Sequence, residues 1–129
     1  MLTTKQIQKY SKYSIPKLRK KASVKFNRFI RERDKEKQCC SCTSYNITQA
    51  SHFYSAGHYP CLEFTEDNVW GSCMKCNTYL SGNLNEYRKK LIKLIGIERV
   101  ESLDAKADYH KRNGYKHDRF FLIEILEKY

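Results

Sequence analysis

The chain has 129 residues, and 25 Lys and Arg against 14 Asp and Glu give it a formal charge of +11. That length fits one domain with a core modest enough to benefit from a staple, and no apolar run approaches the roughly 20 residues of a membrane span. The first residues, Met1-Leu2-Thr3-Thr4-Lys5-Gln6, lack the continuous apolar stretch of an export signal. A cytoplasmic, reducing location is therefore expected, and the six cysteines read as metal ligands and free thiols rather than as a disulfide framework.

Residues 1–13 are polar and basic, with Tyr10 and Tyr13 as their large rings, and suit a short helix or an arm that orders on a partner. Ser14-Ile15-Pro16 is a helix start, with a Ser cap and Pro in the first turn. Apolar residues then recur at Ile15, Leu18, Ala22, Phe26, Phe29 and Ile30, which predicts a helix over 15–36 with one face on the core. Lys20, Lys21, Lys25, Arg28 and Arg31 lie on the rest of its surface. Residues 1–38 hold thirteen of the Lys and Arg against three acids, a net of +10, whereas the remainder is nearly balanced. Charge that one-sided suits a polyanion, because each neutralised phosphate releases counterions.

Beyond this helix, Asn46 to Tyr54 can form a short strand carrying His52, and Cys61-Leu62-Glu63-Phe64 alternates as a second strand would. Ser55 to Pro60 is loop-like. Helical character returns after Cys73 and stops at Ser81-Gly82-Asn83. Leu84, Tyr87, Leu91 and Leu94 mark a helix that Gly96 ends, and Ile97, Val100 and Leu103 mark a further short one. Lys106 to Lys116 reads as part helix and part loop, and Asp118 caps a last helix. The expected organisation is a single α+β domain over 1–129, mostly helical, with a basic N-terminal arm and helix (1–38), a cysteine-rich core (39–83) and C-terminal helices (84–129).

Cys39-x-x-Cys42 and Cys73-x-x-Cys76 place two thiolates on each of two tight turns, the pattern of a four-cysteine structural zinc site. Cys40 and Cys61 fall outside it. Within that frame His52, Asn68 and the Cys76-Asn77 pair follow in an order that resembles the HNH (ββα-metal, His-Me finger) nucleases, and in particular the endonuclease VII type of junction resolvase. A longer ordered series is similar to the phage NinG (Rap) recombination family. It includes Lys21 to Asn27, Ile30 to Asp34, Cys39 to Cys42, Ala50-Ser51-His52-Phe53, Pro60 to Phe64, Asn68, Cys73 to Asn77, Ser81 to Leu84 with Tyr87-Arg88, Leu91 to Gly96 and Val100-Glu101, and it runs from about residue 20 to 103.

The resemblance implies a zinc-stapled ββα-metal (HNH, treble-clef-like) core and an endonuclease cutting branched DNA such as Holliday junctions and D-loops. Structural Zn²⁺ would sit on Cys39, Cys42, Cys73 and Cys76, with catalytic Mg²⁺ or Mn²⁺ beside them. His52 would be the general base, Asn77 the cation ligand and Asn68 a loop brace, with Arg88 contacting phosphate; the setting would be a phage or prophage protein in a bacterial host. His58, in the family-like string Ala56-Gly57-His58-Tyr59, is the alternative base, although spacing to Cys73 favours His52. Ser51 stands where HNH enzymes often carry an Asp, so a carboxylate ligand would have to come from elsewhere, with Glu63, Glu66 and Asp67 as candidates. The competing reading is a zinc-stapled module that binds branched DNA without cutting it. A homodimer would match the two-fold symmetry of a junction, with residues 117–129 as one possible contact.

Overall fold

The computed structural model describes all residues, 1–129, as a mostly helical α+β chain with a single two-stranded sheet. The helices are α1 (Thr4–Lys9), α2 (Ile15–Asp34), α3 (Leu84–Ile95), α4 (Ile97–Asn113) and α5 (Arg119–Lys128). The strands are β1 (Gln49–His52) and β2 (Val69–Ser72), paired antiparallel with Gln49 opposite Ser72 and His52 opposite Val69. No helix is long and apolar enough to cross a membrane.

Local chemistry explains the helix starts. Ser14 accepts from the Lys17 amide and Pro16 occupies the first turn of α2, a cap worth about 1 kcal/mol. Thr3 and Gln6 form a reciprocal capping box on α1. The N-terminal segment is docked and not a free arm: Tyr10 is buried, its hydroxyl donates to Glu127 at 2.7 Å, and Arg119 donates to its carbonyl at 2.7 Å.

The sheet divides two apolar cores. Successive strand residues face opposite sides, so Val69 joins Leu18, Phe26, Ile30 and the buried face of α5, while Trp70 joins Tyr87, Leu91, Val100 and Leu103 of α3 and α4. Asp34 binds the last turn of α2 to β2 by accepting from the Gly71 amide at 2.8 Å. The approach is close enough that a Cβ on Gly71 would meet Ile47 Cγ2 at 2.6 Å and Asp34 Cβ at 2.8 Å.

Three sequence expectations change. Cys61 to Phe64 is not the second strand: Pro60–Leu62 forms a 3₁₀ turn, and the strand is Val69–Ser72. The alternation at Leu62 and Phe64 distributes side chains between two cores, Leu62 to one and Phe64 to the other, and needs no extended backbone to do so. The helix opened by Ile97 is seventeen residues long, because Val100, Leu103 and Ala107 continue its buried stripe under a charged exterior up to Gly114. α2 ends at Asp34, two residues early, where Asp34 turns into the sheet contact.

Candidate metal centre and histidine site

Two turns bring the four cysteines together. Cys39 and Cys42 follow α2, and Cys73 and Cys76 follow β2, entering a single wide turn over Lys75–Tyr79. Their sulfurs all lie within 4.8 Å of one another, with Cys42 Sγ and Cys73 Sγ at 3.7 Å. A tetrahedron with Zn–S bonds of about 2.3 Å has edges of about 3.8 Å, so the set can hold a metal ion such as zinc. Amides of Ser41 and Ser44 donate to Cys39 Sγ and Cys42 Sγ, each at 3.4 Å, and Asn83 Nδ2 lies 3.7 Å from Cys76 Sγ. The crowded thiols divide in acidity: Cys39 is held down to about 4 by the neighbouring Cys40 thiol and by backbone amides, and burial and the other thiols push Cys76 up to about 12. An incoming cation must therefore displace protons. All six cysteines are free of disulfides.

Residues with no local signature complete the frame. Lys90 Nζ donates to the carbonyls of Cys39 at 2.8 Å and Cys42 at 2.6 Å, closing the first turn from α3. Asn83, left-handed at φ 49°, donates to Ser41 O, and buried Ser41 donates to Gly82 O at 3.0 Å. Sequence reading passes over these because polar side chains that cap distant carbonyls follow no spacing rule.

His52 ends β1, and its Nε2 lies 3.0 Å from the main-chain carbonyl of Glu63. A carbonyl only accepts, so Nε2 carries the proton and Nδ1 keeps its lone pair. Burial lowers the ring's pKa below its ordinary value, which keeps it neutral near pH 7. Asn68 is fully buried in the loop between the strands. Its Oδ1 accepts from the Tyr54 amide at 2.8 Å, and its Nδ2 donates to the carbonyls of Tyr54 and Leu62 at 3.0 and 3.1 Å. His58 is exposed, with Nδ1 3.0 Å from Ser55 Oγ. Asn77 Nδ2 donates to Gln49 Oε1 at 3.5 Å, while its Oδ1 makes no hydrogen bond. Gln49 lies three residues before His52 on β1, and no hydrogen bond joins His52 to Asn77.

The candidate carboxylates are engaged elsewhere. Glu63 binds Arg19, Ser23 and His117, Asp67 forms a bidentate pair with Arg99, and Glu66 accepts from Tyr129. Among the basic residues, Lys20 and Arg28 are exposed, Arg31 is half-buried, and Lys21 lies over the Tyr13 ring at 4.7 Å. Lys25 donates to Leu126 O at 3.0 Å, where it satisfies a terminal carbonyl of α5, and Arg88 pairs with Asp104 at 3.1 and 2.7 Å. Both of these cations are turned to internal partners.

A family model described as bacteriophage Lambda NinG protein matches residues 3–124, wider than the 20–103 over which the motifs are legible. Protein ninG of Escherichia phage lambda is 38% identical over 94 residues, 71% of this chain and 46% of that protein. Protein ninG of Salmonella phage P22 is 40% identical over 94 residues, again 71% of this chain and 46% of the relative. The chain thus spans about half the length of the curated relatives it matches. No solved structure matches it.

Proposed function

The chain belongs to the bacteriophage Lambda NinG protein family, and on that premise we propose that it is a zinc-stapled endonuclease that hydrolyses phosphodiester bonds in branched DNA. The observation that carries the reading is His52: a neutral imidazole at a strand end, fixed as the Nε2–H tautomer by Glu63 O, with Nδ1 left as a base. It sits in a hairpin whose second strand runs directly into the four-cysteine frame, with Asn77 immediately after the last thiol. This strand–loop–strand–turn order supports the HNH-like reading.

In the proposed reaction Nδ1 of His52 takes a proton from water, and the resulting hydroxide attacks phosphorus in line with the leaving oxygen. Asn68 holds both arms of the intervening loop and so keeps Glu63 O over the ring. Cys39, Cys42, Cys73 and Cys76 would hold zinc in a structural role, since four thiolates make up the usual ligand set of such a site. Asn77 Oδ1 would hold a Mg²⁺ or Mn²⁺ ion, which when bound supplies charge relief to the phosphate and leaving oxygen. One amide oxygen is a thin donor set for a hard cation, so that ion should bind with the DNA phosphate and not ahead of it.

The test is cleavage of a four-way junction against a linear duplex of the same sequence, with Mg²⁺ and Mn²⁺. The junction should be nicked faster, and His52→Ala should lower the rate by roughly 10²-fold or more while junction binding persists. Full cutting by His52→Ala would remove His52 from the chemistry and turn attention to His58. The second reading, a module that binds without cutting, is favoured by one observation: Glu63, Glu66 and Asp67 all have partners away from Asn77. Tight junction binding with no cutting under any metal would establish it.

A further inference from the structure

Glu63 is a buried carboxylate beside two apolar cores, 6% exposed, and burial alone would raise its pKa. Donors from separate elements hold it ionised. Arg19 Nε donates to Oε1 at 2.7 Å, His117 Nε2 donates to the same oxygen at 2.9 Å, and Ser23 Oγ donates to Oε2 at 3.0 Å. Arg19 and Ser23 lie one turn apart on α2, and His117 comes from the segment before α5. Tyr115 OH in turn lies 3.3 Å from His117 Nδ1, which suits a His117 protonated at Nε2. A buried charge is costly unless fully paired, and with all these donors spent on it this carboxylate is not a ready ligand for a cation or substrate.

The main chain of the same residue does something different. Its carbonyl accepts from His52 Nε2 at 3.0 Å. The residue ends a single 3₁₀ turn held by its own amide to Pro60 O at 3.2 Å, within the sixteen-residue connection between the strands, 53–68. Asn68 clamps that connection at Tyr54 and Leu62, one residue short of Glu63. We propose that Glu63 is a positioning residue for His52: its side chain is caged by Arg19, Ser23 and His117 so that its own carbonyl stays on the imidazole and fixes the tautomer. The proposal rests on His52 being the base, and it gives α2 and the segment before α5 a direct part in the site.

The ring nitrogens of His52 report this without any DNA. In long-range ¹H–¹⁵N correlation spectra, with His52→Ala supplying the assignment, the wild type should show Nε2 protonated and Nδ1 bare. Glu63→Ala should average the two nitrogens toward a mixture of tautomers. Junction cutting should then fall roughly tenfold to a hundredfold, as expected for a group that orients a reacting one, with junction affinity unchanged. Glu63→Gln can still accept from Arg19 and His117 and donate to Ser23, so it should restore most of both signals. Should Glu63→Ala not fold, Ser23→Ala and His117→Phe each withdraw one donor and should move the ring signals the same way. Unmoved ring nitrogens in a folded Glu63→Ala, or in the Ser23→Ala/His117→Phe double variant, would overturn the proposal. A wild type that cuts nothing while the tautomer shifts in Glu63→Ala sinks the nuclease reading and leaves the positioning role standing.

Discussion

The carboxylate of Asp34 is 1% exposed and accepts from Arg33 at 2.8 Å on each oxygen, from the Gly71 amide at 2.8 Å and from Lys37 at 3.2 Å. Arg33 itself also donates to Val69 O and stacks on Trp70, 4.1 Å from the ring centroid. Burial works to raise the Asp34 pKa, but these donors outweigh it and hold the group below its ordinary value. A depressed folded pKa means that the contribution is full above the unfolded value of about 3.9 and disappears as pH falls through the folded one. Glu63 follows the same sign, with its own partners. Asp34→Asn should therefore cost roughly 2 kcal/mol at pH 7, since the amide still accepts from Gly71 but leaves Arg33 without its counter-charge. Denaturant unfolding at pH 7 and below pH 4 checks this: the wild type should lose stability on acidification, and the variant should lose less. Equal acid losses in the two proteins would mean that Asp34 is not the linked group.

Each half of the cysteine frame belongs to a different element: one turn hangs from the end of α2, the other from the end of β2. A metal ion there closes a loop of about thirty residues containing both His52 and Asn68, and for small domains such a staple is folding energy outright. One zinc per chain is expected by metal analysis. Cys76→Ser, which breaks the set at a buried ligand, should release it and lower the unfolding temperature together with His52 tautomer order. A metal-free protein with unchanged thermal stability would remove the staple from the account. The cysteine turns were legible beforehand because ligand spacing is local, as was α2, where capping and apolar periodicity agree. The 61–64 segment was not, since alternation alone cannot separate a strand from a turn whose side chains enter two cores. Glu63 was legible only as a candidate carboxylate and not by its contacts: its partners Arg19 and His117 stand 44 and 54 residues away, and an ion pair that distant imposes no pattern on the residues around it.

Viewed as a whole molecule, the chain concentrates its charge in the first 38 residues, yet the fold uses part of that charge internally. Arg19 is paired with Glu63, Arg33 with Asp34, and Lys25 with the last turn of α5, leaving Lys17, Lys20, Lys21, Arg28 and Arg31 on α2 without an ion pair. α5 in turn fills the chain's own core with Leu122, Ile123, Ile125 and Leu126, and leaves Phe120 and Phe121 outside. If α2 tracks a DNA backbone, only the unpaired cations release counterions on binding. The logarithm of affinity falls with the logarithm of salt at about 0.9 per neutralised phosphate, so the triple variant Lys20→Gln, Arg28→Gln, Arg31→Gln should flatten that slope by up to about 2.7. The loss should be alike for junctions and linear duplexes, because phosphate contacts carry no shape or sequence information. Lys25→Gln separates the two uses of charge: it should leave the slope where it was and instead lower the unfolding temperature, since it removes the ammonium from the C-terminal carbonyls of α5. A triple variant with an unchanged slope would move the nucleic-acid face off α2, and a Lys25→Gln slope change would mean that its ammonium leaves Leu126 for phosphate on binding.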